Sequence, residues 1–206
     1  MAKGKFIAFE GCDGSGKTTV SEAVAQNLRE RGYDVIYTRE PGGIDIAEQI
    51  RKVILDPENT AMDNRTEALL YAASRRQHLV EKVIPALEAG KIVISDRYVL
   101  SSLAYQGYAR GIGVDEVLSI NQFAINNLWP DRTIYLDVDP EIGLQRISSR
   151  KNLDRLDQEA ADFHHLVHDG YQLVKERYAD NITSFDASLS VEEVIRNVTE
   201  YLLSIL

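Results

Sequence analysis

The sequence predicts an α/β protein built on a five-stranded parallel sheet with helices on both faces. Two observations carry that expectation. Five short apolar runs alternate with helical patterns, and the longer runs are rich in Ile and Val; strands separated by helices form parallel sheets covered on both sides. The first run is joined to its helix by Gly11-Cys12-Asp13-Gly14-Ser15-Gly16-Lys17-Thr18, a complete G-x-x-x-x-G-K-[ST] loop. With 206 residues and no repeat, low-complexity tract or flexible linker, residues 1–206 read as one domain with a substantial core.

Phe6–Phe9 forms the first expected strand, and Thr19 to Arg31 reads as an amphipathic helix with Val20, Val24 and Leu28 on one face. Between them, the glycine loop aims backbone N–H groups and the positive end of the helix dipole at a phosphate chain. The stretch from Gly11 to Thr19 is therefore expected to hold a nucleoside triphosphate, with Lys17 on the β/γ-phosphates and Thr18 on Mg²⁺. Asp34–Thr38 is the second strand. Arg65 to Arg76 is strongly helical and puts Tyr71 and Arg75 four apart on one face. That pair suits a nucleobase, stacked on the ring and bonded by the guanidinium; taken alone, it more often describes a core tyrosine beside a surface arginine.

Lys91–Ser95 is the third strand, and Asp96-Arg97-Tyr98 follows it directly. Ligands bind at the C-terminal ends of strands in open α/β sheets. Asp96 is placed to hold Mg²⁺ directly or through water, and Arg97 to fork onto a phosphate. Ser102 and Gln106 lie four apart just beyond, and a glutamine amide can both donate to and accept from a base edge. Thr133–Val138 and Ser184–Asp186 complete the five strands. The segment 142–157 carries Arg146, Arg150, Lys151 and Arg155. It reads either as a solvated face or as a lid over phosphates, and the phosphate loop favours the lid. His164-His165-x-x-His168 has metal-like helical spacing, but an exposed polar face is the favoured reading.

Composition narrows the partners. A net charge of −9 opposes a nucleic-acid surface, which rests on clustered Lys and Arg. The single cysteine, Cys12, permits no intrachain disulfide and fits a reducing compartment. It either fills a tight turn or is oxidation-sensitive, and packing is the favoured role. No signal peptide is apparent, and no run approaches the ~18 apolar residues of a membrane span. The expectation is a cytoplasmic protein with no membrane partner.

Thr38-Arg39-Glu40-Pro41-Gly42-Gly43, Asp96-Arg97-Tyr98, Ser101-Ser102-Leu103-Ala104-Tyr105-Gln106-Gly107 and Leu153-Asp154-Arg155-Leu156-Asp157-Gln158-Glu159 together resemble the bacterial thymidylate kinases. The likeness runs from Phe6 to about Ala187. It implies the P-loop nucleoside monophosphate kinase fold, a homodimer, and transfer of the ATP γ-phosphoryl group to dTMP with Mg²⁺, in dTTP synthesis. By position it assigns Arg51 and Arg97 to the dTMP phosphate, Arg75 to thymine O4 and Tyr71 to the ring, where phenylalanine is frequent. Ser102 and Gln106 would face the polar edge of the base, with Pro41 near its methyl group. Asp13 would accept from the 3′-hydroxyl, Tyr105 would fill the space of a 2′-hydroxyl, and Glu40 would bridge water or Mg²⁺. Some members carry a catalytic arginine in the phosphate loop. Here that position is Gly14, which makes the lid the source of the charge, with Arg150 ahead of Arg146 and Arg155 structural.

Two rivals remain at this level. A deoxynucleoside kinase would use Asp96 as a base, but would leave Arg51 and Arg97 without an anionic partner. A nucleotide-dependent switch would carry Asn-Lys-x-Asp, whereas Lys151-Asn152-Leu153-Asp154 has the order wrong.

Overall fold

The computed structural model describes residues 4–148 and 154–206. Five strands, β1 (Lys5–Glu10), β2 (Val35–Arg39), β3 (Ile92–Asp96), β4 (Arg132–Asp137) and β5 (Ile182–Asp186), form one sheet in the order β2-β3-β1-β4-β5. Every pairing is parallel, and the registers set Phe9 beside Asp96 and Thr38 beside Ser95.

Alternation along β1 decides the two layers. Phe6 and Ala8 face one core, and Ile7 and Phe9 the other, because successive strand side chains point to opposite faces. The Ile7 side is covered by α1 (Lys17–Glu30) and α9 (Val191–Ile205), through Val20, Val24, Leu28, Val198 and Leu202. The Phe6 side packs on α6 (Val114–Ile125), α8 (Ala161–Arg177) and a π-helical stretch, Leu103–Ala109, that continues α5 (Val99–Ser102). On the same side, α3 (Asn64–His78) runs through a π turn, Leu79–Val83, into α4 (Ile84–Glu88). The expected helix and strands are thus present. The first helix starts at Lys17, two residues earlier than the pattern suggested, because the loop feeds straight into its first turn.

From β1 the chain leaves toward β2 on one side of the sheet, and from β3 it crosses back toward β4 on the other. These adjacent strands open a crevice at their C-terminal ends, where a ligand site is expected. The remaining helices border it. They are α2 (Asp45–Leu55) after the Glu40–Gly43 turn, and α7 (Pro140–Ser148) at the start of the basic segment.

Candidate active site

The phosphate loop is shaped by backbone conformation that few side chains tolerate. Gly16 caps α1 at φ +86° with no side-chain cap bond, so the first N–H groups of the helix face outward. Lys17 bends back, its Nζ donating to the Cys12 carbonyl at 2.7 Å. Burial, with the nearby Arg97 charge, lowers its pKa to about 8 against the pull of Asp13 and Asp96. Cys12 turns away from the crevice, and burial raises its thiol to about 11. The packing role of this cysteine therefore prevails over the reactive one.

A cavity of about 290 Å³ joins this loop to the neighbouring wall. All ten residues expected at the acceptor line it: Asp13, Glu40, Pro41, Arg51 and Tyr71 with Arg75, Arg97, Ser102, Tyr105 and Gln106. Gly14, Gly16, Lys17, Thr18, Thr19 and Asp96 line its other end. Gly11, Cys12 and Ser15 do not reach the cavity wall. Arg146 does not line it either; its guanidinium donates to the Gly14 carbonyl at 3.1 Å and the Ala187 carbonyl at 3.2 Å. Arg150 lies outside the described residues.

Arg97 is the pivot. It adopts φ +71°, a left-handed conformation that a non-glycine residue holds only when its surroundings fix it. Its N–H donates to Phe9 at 2.9 Å, and its carbonyl accepts from Ser95 Oγ at 2.8 Å. The guanidinium pairs with Asp13 and lies over the Tyr105 ring, 5.1 Å from its centroid. Burial alone would raise the Asp13 pKa, but Arg97 and Lys17, with the Tyr105 hydroxyl at 2.7 Å, hold it far below the usual range.

Behind Arg97 lies Glu10, fully buried at the end of β1. Its carboxylate accepts from the Tyr98 and Ser101 N–H groups at 2.9 and 3.2 Å. It also accepts from Ser101 Oγ at 2.5 Å and the Tyr171 hydroxyl at 2.9 Å. The two hydroxyls lie 2.8 Å apart, and their oxygens also accept from Arg97 at 3.0 and 3.4 Å. Sequence reasoning missed this arrangement. A charged residue closing an apolar strand is a signal for Glu10, whereas nothing local marks Tyr171, 161 positions away.

Arg75 is held as firmly. Its Nε donates to Glu40 at 2.6 Å, one terminal nitrogen to Ser102 Oγ at 3.1 Å and to Asn121, and the other to the Tyr98 carbonyl at 2.9 Å. Four of its five N–H groups are thereby used among the described residues, which leaves one to offer. Glu40 receives Arg75 and His78, the latter at 3.0 Å, and these overcome the effect of burial to keep it ionised. Glu40 thus fixes Arg75, a partnership its place in the Arg39–Gly43 motif did not reveal. Arg51 donates to the Pro41 carbonyl at 2.9 Å at the cavity's side. The Tyr71 hydroxyl has no hydrogen-bond partner among the described residues.

Among the described residues, no group of three or more His, Cys, Asp or Glu side chains could hold a metal. A Mg²⁺ site needs fewer protein ligands, because waters and phosphate oxygens complete the octahedron. Thr18 Oγ1 donates to Asp96 Oδ2 at 2.5 Å, while Asp96 Oδ1 is buried with no hydrogen-bond partner. An orphaned carboxylate oxygen beside a loop hydroxyl fits a hard divalent cation.

A parallel sheet of this order, with a phosphate loop on its central strand and an arginine-walled cavity alongside, is that of a P-loop nucleoside monophosphate kinase. A family model described as thymidylate kinase matches residues 9–198. A thymidylate kinase of Geobacillus sp. (strain WCH70) is 59% identical over 194 residues, covering 93% of this chain and 92% of that one. One from Clostridium novyi (strain NT) is 55% identical over 204 residues, covering 98% and 100%. The crystal structure of thymidylate kinase from Ehrlichia chaffeensis superposes with a TM-score of 0.79 at 32% identity, over 98% of this chain and 99% of that one. The chain belongs to the thymidylate kinase family. No helix among the described residues is long and apolar enough to cross a membrane.

Proposed function

We propose that this enzyme phosphorylates dTMP to dTDP by direct in-line transfer of the ATP γ-phosphoryl group. The observation that carries the reading is a single cavity bounded by the phosphate loop at one end and the Tyr71–Arg75–Gln106 wall at the other. A nucleotide phosphate is largely dianionic at neutral pH, since its second pKa lies near 6. It attacks without a general base, so the site must supply position and positive charge.

Lys17 and the open N-terminus of α1 hold the donor phosphates, while Arg97 and Arg51 receive the acceptor phosphate. To do so, Arg97 shares its guanidinium between that phosphate and Asp13, whose other task is the 3′-hydroxyl. Thr18 and Asp96 would hold Mg²⁺, which neutralises phosphate charge when bound. Tyr105 crowds the 2′ position, and Tyr71 covers the base. Gly14 carries no side chain, so the transferring group draws its further cation from the basic segment, from Arg150 first and Arg146 second. A homodimer is supported by unpartnered apolar side chains on neighbouring helices, Leu69 on α3 and Phe123 on α6, the latter 92% exposed. Sedimentation at low concentration tests it.

The activity is tested by ADP release with dTMP, dUMP, dCMP, ribothymidine monophosphate and thymidine as acceptors. dTMP is expected to lead, with thymidine inert. Equal turnover of all the monophosphates overturns the roles of Arg75, Gln106 and Tyr105, and phosphorylation of thymidine overturns those of Arg51 and Arg97.

A further inference from the structure

We propose that Glu67, which does not line the cavity, determines which pyrimidine the cavity accepts by fixing the orientation of the Gln106 amide. The inference rests on reading the cavity as the acceptor site. Glu67, Tyr71 and Arg75 are spaced four apart on α3 and share a face. Glu67 is 1% exposed and sits one turn below the residues that meet the base.

Its carboxylate is fully committed. One oxygen accepts from Gln106 Nε2 at 2.8 Å and Arg110 Nε at 3.3 Å; the other accepts from Arg110 at 3.2 Å and from Arg155. Burial opposes ionisation, but the Arg110 charge and the bonds from Arg155 and Gln106 outweigh it and lower the pKa. An ionised carboxylate only accepts, so the Gln106 amide has one workable orientation, with its NH₂ on Glu67. Gln106 Oε1 is therefore turned the other way. It accepts no hydrogen bond from the described residues, and Gln106 lines the cavity.

The cavity thus presents an acceptor at Gln106 and the one uncommitted N–H of Arg75. That pair matches a pyrimidine edge with an N3–H beside a 4-carbonyl. It opposes cytosine, whose N3 accepts and whose 4-amino group donates. A flipped glutamine would present donors only and leave N3–H unmatched. The sequence allowed either orientation, because a glutamine amide both donates and accepts; Glu67 removes the ambiguity from outside the cavity.

In Glu67→Gln, the new carbonyl is drawn to the two guanidiniums and the new NH₂ faces Gln106, whose amide then turns over. The ratio of kcat/KM for dTMP over dCMP is expected to fall roughly tenfold or more, the effect of one unmatched buried hydrogen bond. Combining Glu67→Gln with Gln106→Glu restores the complementarity, since a carboxylate at 106 accepts from both sides. The ratio should then return to within about twofold of the starting protein's. Parallel loss of both activities at an unchanged ratio, or a fallen ratio that the double variant fails to restore, overturns the inference and leaves the acceptor reading standing. No preference for dTMP in the unaltered protein overturns both. If Glu67→Gln does not fold, the imino proton of bound dTMP labelled at N3 is followed in the unaltered protein. Slow exchange with water is expected, and free exchange overturns the inference.

Discussion

Replacing Gly14 by alanine should destabilise the ligand-free protein more than the same change at Gly16, although the two glycines share one loop and nearly one conformation. Gly14 has φ +76° and Gly16 φ +86°, so each substitution costs about 1–2 kcal/mol for holding an L-residue in the left-handed region. Their surroundings differ. A Cβ on Gly16 meets nothing within 4 Å, whereas one on Gly14 would lie 2.7 Å from Gly143 Cα and 2.8 Å from its carbonyl carbon. These are backbone atoms of α7 and cannot rotate aside, so the helix must move, and overpacking of this kind costs about 1–3 kcal/mol more. Gly16→Ala is therefore expected to lose about 1–2 kcal/mol, and Gly14→Ala about 2–5. At roughly 2–4 °C per kcal/mol for a chain of this size, the second variant melts visibly below the first. Urea titration without nucleotide, supported by calorimetry, measures both. Gly143→Ala is the reciprocal arm, since its Cβ would lie 2.7 Å from the Asp13 carbonyl. Equal losses at 14 and 16 would refute the claim that α7 is seated on the phosphate loop. The same packing explains how a loop without an arginine at this position receives α7 so closely.

Further predictions concern charge. With a folded pKa of about 8, below the ordinary 10.5, Lys17 binds fewer protons in the folded than in the unfolded chain between those values. Its burial therefore costs stability below pH 8, and that loss is relieved as pH rises through the window. Binding ATP at pH 9 should take up close to one proton, read from calorimetric heats in two buffers; equal heats would contradict it. Cys12, buried with its thiol near 11, should resist alkylation at pH 8 until the protein unfolds, and prompt labelling of the native protein would sink this assignment. Arg150→Ala should lower kcat about 10²- to 10³-fold with little change in the dTMP KM. Arg146→Ala should also lower the melting temperature, because it ties Gly14 to Ala187. Full kcat in a folded Arg150→Ala protein would remove the lid as the source of the catalytic cation.

The legible parts of this site are those whose chemistry is local in sequence. Gly11 to Thr18 specifies strand end, turn and helix start within eight residues, and the spacing of Tyr71 and Arg75 fixes a shared helix face. The residues that hold those side chains in place come from distant segments. Glu40 reaches Arg75 across 35 positions, Asn121 across 46, and Glu67 reaches Arg155 across 88. A buried carboxylate and its guanidinium, one on a helix and the other in a distant turn, leave no periodicity to read. The Glu67 side chain sits inside a run that looks like ordinary charged helix surface.

The sequence by itself determined the class of sheet, the phosphate loop and most of the residues that line the cavity, because alternation, glycine spacing and short motifs depend on near neighbours. Only the tertiary structure decided which strand lies beside which and how Arg97 is forced into a left-handed turn between Phe9 and Ser95. It alone decided which way the Gln106 amide faces. Each of those depends on a hydrogen bond to a partner tens of residues away, and such a bond exists only once the chain has folded.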